Sequence, residues 1–172
     1  MAWNTIETVL FELGKWVFVA YFLMFLLSVM LERKVSSLVI TLMVLALANG
    51  AMTAGTPMLY NIASQTGLFY KLIWYMAFVC VDAVAIYLLY KLHRLLKQNV
   101  GSVAQLVGLC FFLLASIQSL RFFDRYVTNT ELLQSLYQYG IPFINVTLVP
   151  IILMMWVLQH RNENNSVQVV TE

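Results

Sequence analysis

Val35-Ser-Ser-Leu-Val-Ile-Thr-Leu-Met-Val-Leu-Ala-Leu-Ala-Asn-Gly-Ala-Met-Thr-Ala-Gly-Thr-Pro-Met-Leu-Tyr60 continues as Asn61-Ile-Ala-Ser-Gln-Thr-Gly-Leu-Phe-Tyr70 without one charged residue. About 20 apolar residues in a helix cross the ~30 Å hydrocarbon core of a bilayer, so residues 35–70 are too long for one crossing. The polar group Asn61, Ser64, Gln65, Thr66 and Gly67 divides the tract. One span therefore covers about residues 35–60, and another begins near 68.

Working outward, the span over residues 68–90 is interrupted only by Lys71 and Asp82 and ends in the basic segment Lys91-Leu-His-Arg-Leu-Leu-Lys97. Arg33 and Lys34 close an earlier span over about residues 10–31. A fourth, over 103–123, runs into Arg121, Asp124, Arg125 and Glu131. The fifth, over 132–159, contains Gly140, Pro142 and Pro150, where a missing N–H predicts kinks. Residues 161–172 are polar and read as a disordered tail. The fold class is thus all-α: a polytopic transmembrane helical bundle of five spans in a single domain, residues 1–160. The uncharged part of the first span is short, and Trp3, Ile6, Leu10 and Leu13 recur at helical spacing. A four-span bundle with an interfacial N-terminal helix is therefore the alternative.

Composition excludes several classes. The chain is 62% hydrophobic and 10% charged, against roughly 45–50% and about 25% in soluble domains, so a water-soluble core cannot absorb its apolar surface. With a net charge of +2 and no basic run interleaved with aromatics, nothing points to nucleic acid. Cys80 and Cys110 sit in separate apolar tracts with no CxxC, which signals neither a disulfide framework nor a zinc site. His93 and His160 suggest a shared haem or metal only weakly, since both are expected at a solvated surface. No HExxH, GxSxG, Walker or GxGxxG pattern occurs. No catalytic residue, metal or cofactor is expected.

Five crossings put Arg33, Lys34, Lys91, Arg94, Lys97 and Arg161 on one side and Lys15, Lys71, Arg121 and Arg125 on the other. The positive-inside rule makes the first side cytoplasmic, giving an N-out, C-in protein of a plasma or inner membrane.

Asp82 is the most informative single residue. It lies nine residues, or ~13 Å of rise, from Lys91, and a carboxylate near the middle of a bilayer costs roughly 2.5–3.5 kcal/mol on insertion scales. Asn49, Gln118 and Asn145 fall about one helical turn further out and complete a candidate polar layer. Such a layer serves as a proton or ion site, or as hydrogen-bonded glue between helices at ~0.6–2 kcal/mol per bond. Lys71, Tyr75, Asp82 and His93 share one helical face, read as an interior face with a basic anchor at each end. Ala46, Gly50 and Ala54 form a small-residue face for close helix packing, within the chain or between copies, while Pro57 with Gly50 and Gly55 also permits a broken helix that lines a polar cavity. Arg121 and Asp124 read as a juxtamembrane salt bridge, with an outer vestibule for an anionic headgroup as the alternative.

These features predict a non-enzymatic membrane subunit in contact with the lipid bilayer. It is expected to be homo-oligomeric and to act as a membrane sensor or as the anchor of a cytoplasmic protein through Lys91, Arg94 and Lys97, which equally suit lipid headgroups. The alternative is a small ion or proton channel or secondary transporter using Asp82, Asn49, Gln118 and Asn145.

Overall fold

The computed structural model describes residues 5–170, with side chains from 9 to 159; Trp3, and the side chains of Ile6 and His160, lie outside these. It is all-α, with no strand among the described residues: α1 (Thr5–Glu32), α2 (Ser37–Ala63), α3 (Leu68–Leu95), α4 (Ser102–Tyr126), a π-helical turn (Leu136–Gly140) and α5 (Ile141–Val170). All five α-helices contain segments long and apolar enough to cross a membrane, making this an integral multi-pass membrane protein. The first such segment is Val9–Glu32. Its buried Val17, Tyr21, Met24 and Ser28 belong to the bundle, so α1 is not a separate interfacial helix.

Local chemistry sets the boundaries. Ser36 caps α2 by accepting from the Val39 N–H at 3.2 Å. Gly67 precedes α3 at φ 130°, a conformation that requires the absent β-carbon. At the other end of α3, Lys97 takes a left-handed φ of 52°, and the Gln98 N–H reaches back to the His93 carbonyl at 2.9 Å. This is a Schellman closure built on lysine, which explains why the basic segment turns there. The last helix runs on through residues 161–170, which were expected to be disordered. After Pro150 the sequence has no proline or glycine to stop it.

Successive helices pack as neighbours, α5 rests against α4 and α1, and α2 also touches α4, so the helices close into a ring in chain order. The core occupies the half nearer the 96–101 connection. Leu38, Leu42 and Leu45 of α2, Ala85 and Leu89 of α3, Val107 and Phe111 of α4, and Leu148 and Ile152 of α5 pack there. A polar clamp ties the same end. The Gly101 N–H donates to Ser37 Oγ (2.9 Å), which lies 2.8 Å from His93 Nε2, while His93 Nδ1 is 2.7 Å from the Leu89 carbonyl. Because a carbonyl only accepts, Nδ1 carries the hydrogen and Nε2 accepts from the Ser37 hydroxyl in the neutral ring. His93 is therefore buried, not solvated as its basic neighbours suggested.

Ala46 is buried, and a β-carbon on Gly50 would come within 2.9 Å of Phe18 Cε2 on α1. The small-residue face thus serves the α1–α2 contact at Gly50, with Ala46 buried in the core and Ala54 exposed.

Candidate functional site

At the opposite end, where α1 begins, the helices part around a cavity of about 690 Å³ bordered by all five. Its lining descends α3 from Lys71 to Asp82, eleven residues further on, a rise of ~16 Å. That is half the ~30 Å thickness of a hydrocarbon core. Exposed Ser64, Arg125 and Gln134 stand at the mouth. Asn49, Asp82, Gln118 and Asn145, the four residues of the candidate polar layer, all border the cavity.

Their hydrogen bonding differs. Asn49 Nδ2 donates to the Leu45 carbonyl of its own helix at 3.1 Å, and the Asn145 backbone carbonyl accepts from the Tyr21 hydroxyl at 2.7 Å. Both Asp82 carboxylate oxygens and Gln118 Oε1 are buried without any hydrogen-bond partner. Asp82 is 0% exposed, so in this conformation it forms the sealed floor of the cavity and not part of its wetted wall. These residues do not form the interhelical amide–carboxyl bridges that a structural polar layer would make. An unpartnered buried polar group costs roughly 1–3 kcal/mol, and a charged one more, so the arrangement is a cost to the bundle.

The wall above is aromatic. Tyr75 stacks edge-on to Phe122 and Tyr126 (ring centroids 5.8 and 6.3 Å) and lies 5.6 Å from the Tyr137 ring, whose hydroxyl accepts from Trp74 Nε1 at 2.9 Å. Tyr137 belongs to the π-helical turn, which widens the backbone directly before Pro142. The proline ring excludes ordinary α-geometry against the carbonyl four residues earlier.

All three prolines bear on the cavity in the same way. Pro57, Pro142 and Pro150 each stand four residues after a lining residue: Thr53, Gln138 and Val146. Proline has no N–H, so the carbonyls of those three residues lack their usual helical donor. Irregular backbone of this kind is tolerated at membrane depth where it borders a polar cavity. This four-residue offset is visible in the sequence; kinks were expected at Pro142 and Pro150, and a broken helix lining a polar cavity was the alternative at Pro57.

At the mouth, Arg121 is 3% exposed and donates through Nη1 to Asp124 Oδ2 and through Nη2 to Glu131 Oε2, both at 2.6 Å. Asp124 also accepts from Thr130 Oγ1 and from the Leu133 N–H at 3.2 Å. The connection between α4 and α5 is thereby folded back onto the end of α4. The expected Arg121–Asp124 salt bridge forms, but it is buried, and Arg121 borders the cavity. Lys71 donates to the Ala63 carbonyl at the mouth end of α2, satisfying the last turn of that helix. Arg125, 49% exposed and 3.9 Å from Glu131, is the loosest of the mouth cations.

Lys91, Arg94 and Lys97 are exposed at the closed end, far from the cavity. Cys80 faces outward and is free, as is Cys110. Among the described residues, no three His, Cys, Asp or Glu side chains come together as a metal cluster. No protein-family model, curated protein or solved structure matches this chain.

Proposed function

We propose that this chain is a non-enzymatic secondary carrier of a small organic solute, with the cavity as its binding site and Asp82 as the polar anchor at the floor. The observation that carries the reading is the asymmetry of the bundle. One half is packed and clamped, while the other opens onto a cavity that ends on a buried, unpartnered carboxylate. Its volume lies within the ~300–1,000 Å³ of small-molecule sites, and its mixture of aromatic walls with few convergent polar groups suits an organic solute. Intramembrane carboxylates that face the bundle interior mark substrate and ion paths. With the N-out polarity favoured by the basic residues, the mouth faces the exterior and the closed end faces the cytoplasm.

Proteoliposomes containing the wild-type chain should take up at least one member of a radiolabelled panel of amino acids, amines and monocarboxylates above protein-free vesicles. Asp82→Asn should reduce that uptake on the order of tenfold or more. Folded wild-type protein that takes up no member, or a variant as active as wild type, would sink the reading.

Anchoring of a cytoplasmic partner keeps one supporting observation, the exposure of Lys91, Arg94 and Lys97 at the closed end. It takes precedence if charge reversal at these three positions removes a co-purifying protein while no solute is transported. Unchanged recovery of that protein rejects it.

A further inference from the structure

Three acceptor oxygens, Asp82 Oδ1, Asp82 Oδ2 and Gln118 Oε1, are buried without a donor, and both residues border the same cavity. Their helices run antiparallel. Leu89 Cδ2 of α3 comes within 3.6 Å of the position a Gly108 β-carbon would take on α4, and Tyr75 stacks on Phe122. Midway between these contacts, Asp82 faces the level of residue 115, so Gln118 sits three residues, or ~4.5 Å, nearer the mouth. The carboxylate and the amide thus occupy adjacent turns at the floor.

Among the described residues no cation serves them. Arg121 is engaged by Asp124 and Glu131, Lys71 by the Ala63 carbonyl, and Arg125 lies at the exposed mouth beside Glu131. We infer that Asp82 and Gln118 form an intramembrane site for a compact monovalent cation, with Asn49 and Asn145 at its rim. In the carrier reading, on which only this role rests, the cation couples solute movement to its own gradient.

The chemistry selects the class. Carboxylate and amide oxygens are hard ligands that replace the hydration shell of an alkali cation, and no nitrogen or sulfur ligand is offered. A single negative charge in a low-dielectric setting is neutralised by one positive charge, whereas a divalent ion would leave a net charge in hydrocarbon. Asn49 fits the rim because its amide nitrogen is already held by the Leu45 carbonyl, leaving its oxygen as the end available for coordination.

The test is thermal unfolding of the purified full-length chain in mild detergent, titrated with sodium, potassium or ammonium chloride against choline chloride at constant total chloride. At least one compact cation should raise the unfolding temperature saturably while choline does not, as expected for a ligand of the native state alone. Asp82→Asn should flatten the titration, and Gln118→Leu should raise the half-saturating concentration on the order of tenfold. Preference for potassium or ammonium over sodium supports the site and identifies its occupant. The inference is overturned if folded wild type responds to choline as it does to the compact cations, if Asp82→Asn responds like wild type, or if acid stabilises the protein while no cation does. Cation binding without solute uptake rejects the carrier reading alone; uptake without cation binding rejects this inference alone.

Discussion

Arg121→Leu should destabilise the folded bundle by about 3–5 kcal/mol, the usual cost of removing one partner from a buried ion pair. The guanidinium is 3% exposed and holds Asp124, itself 6% exposed, together with Glu131 from the following connection. Without it, Asp124 keeps only the neutral donors Thr130 Oγ1 and the Leu133 N–H, and a buried carboxylate so poorly matched is costly. Arg121→Lys should fall between, because a single ammonium cannot reproduce two separately directed N–H donations. Removing both buried charges in Arg121→Leu/Asp124→Leu should recover a large part of the loss. Denaturation in detergent measures all three; an Arg121→Leu protein within about 1 kcal/mol of wild type would show that the network does not hold the mouth together.

Asp82→Leu should do the reverse, raising stability by about 1–3 kcal/mol in choline buffer while abolishing uptake. The sign is the informative part. If Asp82 were glue between helices, its loss would weaken the bundle by the ~0.6–2 kcal/mol of an intramembrane hydrogen bond. Both of its oxygens lack a partner, so leucine removes a cost and deletes no bond. A residue that is better for function and worse for stability is expected at a binding site. Destabilisation of the leucine variant would return Asp82 to a structural role.

The bundle was legible from the charge breaks. Arg33 and Lys34, the Asn61–Gly67 break, Lys91 to Lys97, and Asp124 to Glu131 separate apolar tracts long enough to cross, and the helices follow those limits within a few residues. Counting rise from the ends also placed Asn49, Gln118 and Asn145 near the depth of Asp82, because a helix converts residue number into depth almost without ambiguity. Rise does not say which faces meet. It therefore could not show that the helices pack at one end and part at the other, or that the polar layer leaves its carboxylate unpartnered.

His93 drew two readings, a solvated surface and an interior helical face, and its burial agrees with the second. Basic neighbours at positions 91 and 94 mark a surface, but the helical period turns residue 93 inward, on the same face as Tyr75, Asp82 and Leu89. Burial of Arg121 depends on Glu131 and Leu133 returning from a connection that has no sequence signature for doing so. Pro142 and Pro150 carried more than the kinks read from them, as Pro57 did in its alternative reading: proline inside an apolar span marks the carbonyl four residues earlier as well as a bend, and here all three such residues line the cavity.

A cavity that opens at the end bearing the N-terminus should admit a water-soluble reagent to Thr53. The measurement is Thr53→Cys in a background with Cys80 and Cys110 replaced, probed with a membrane-impermeant maleimide on sealed vesicles of each orientation. Thr53 borders the cavity ten residues, or ~15 Å, below the end of α2 at Ala63. Thr53→Cys should be labelled from the N-terminal face alone, and Ala104→Cys in the packed half, where Ala104 is 0% exposed, from neither face. Labelling of Thr53→Cys only from the face bearing the 96–101 connection, or from neither face, would contradict it.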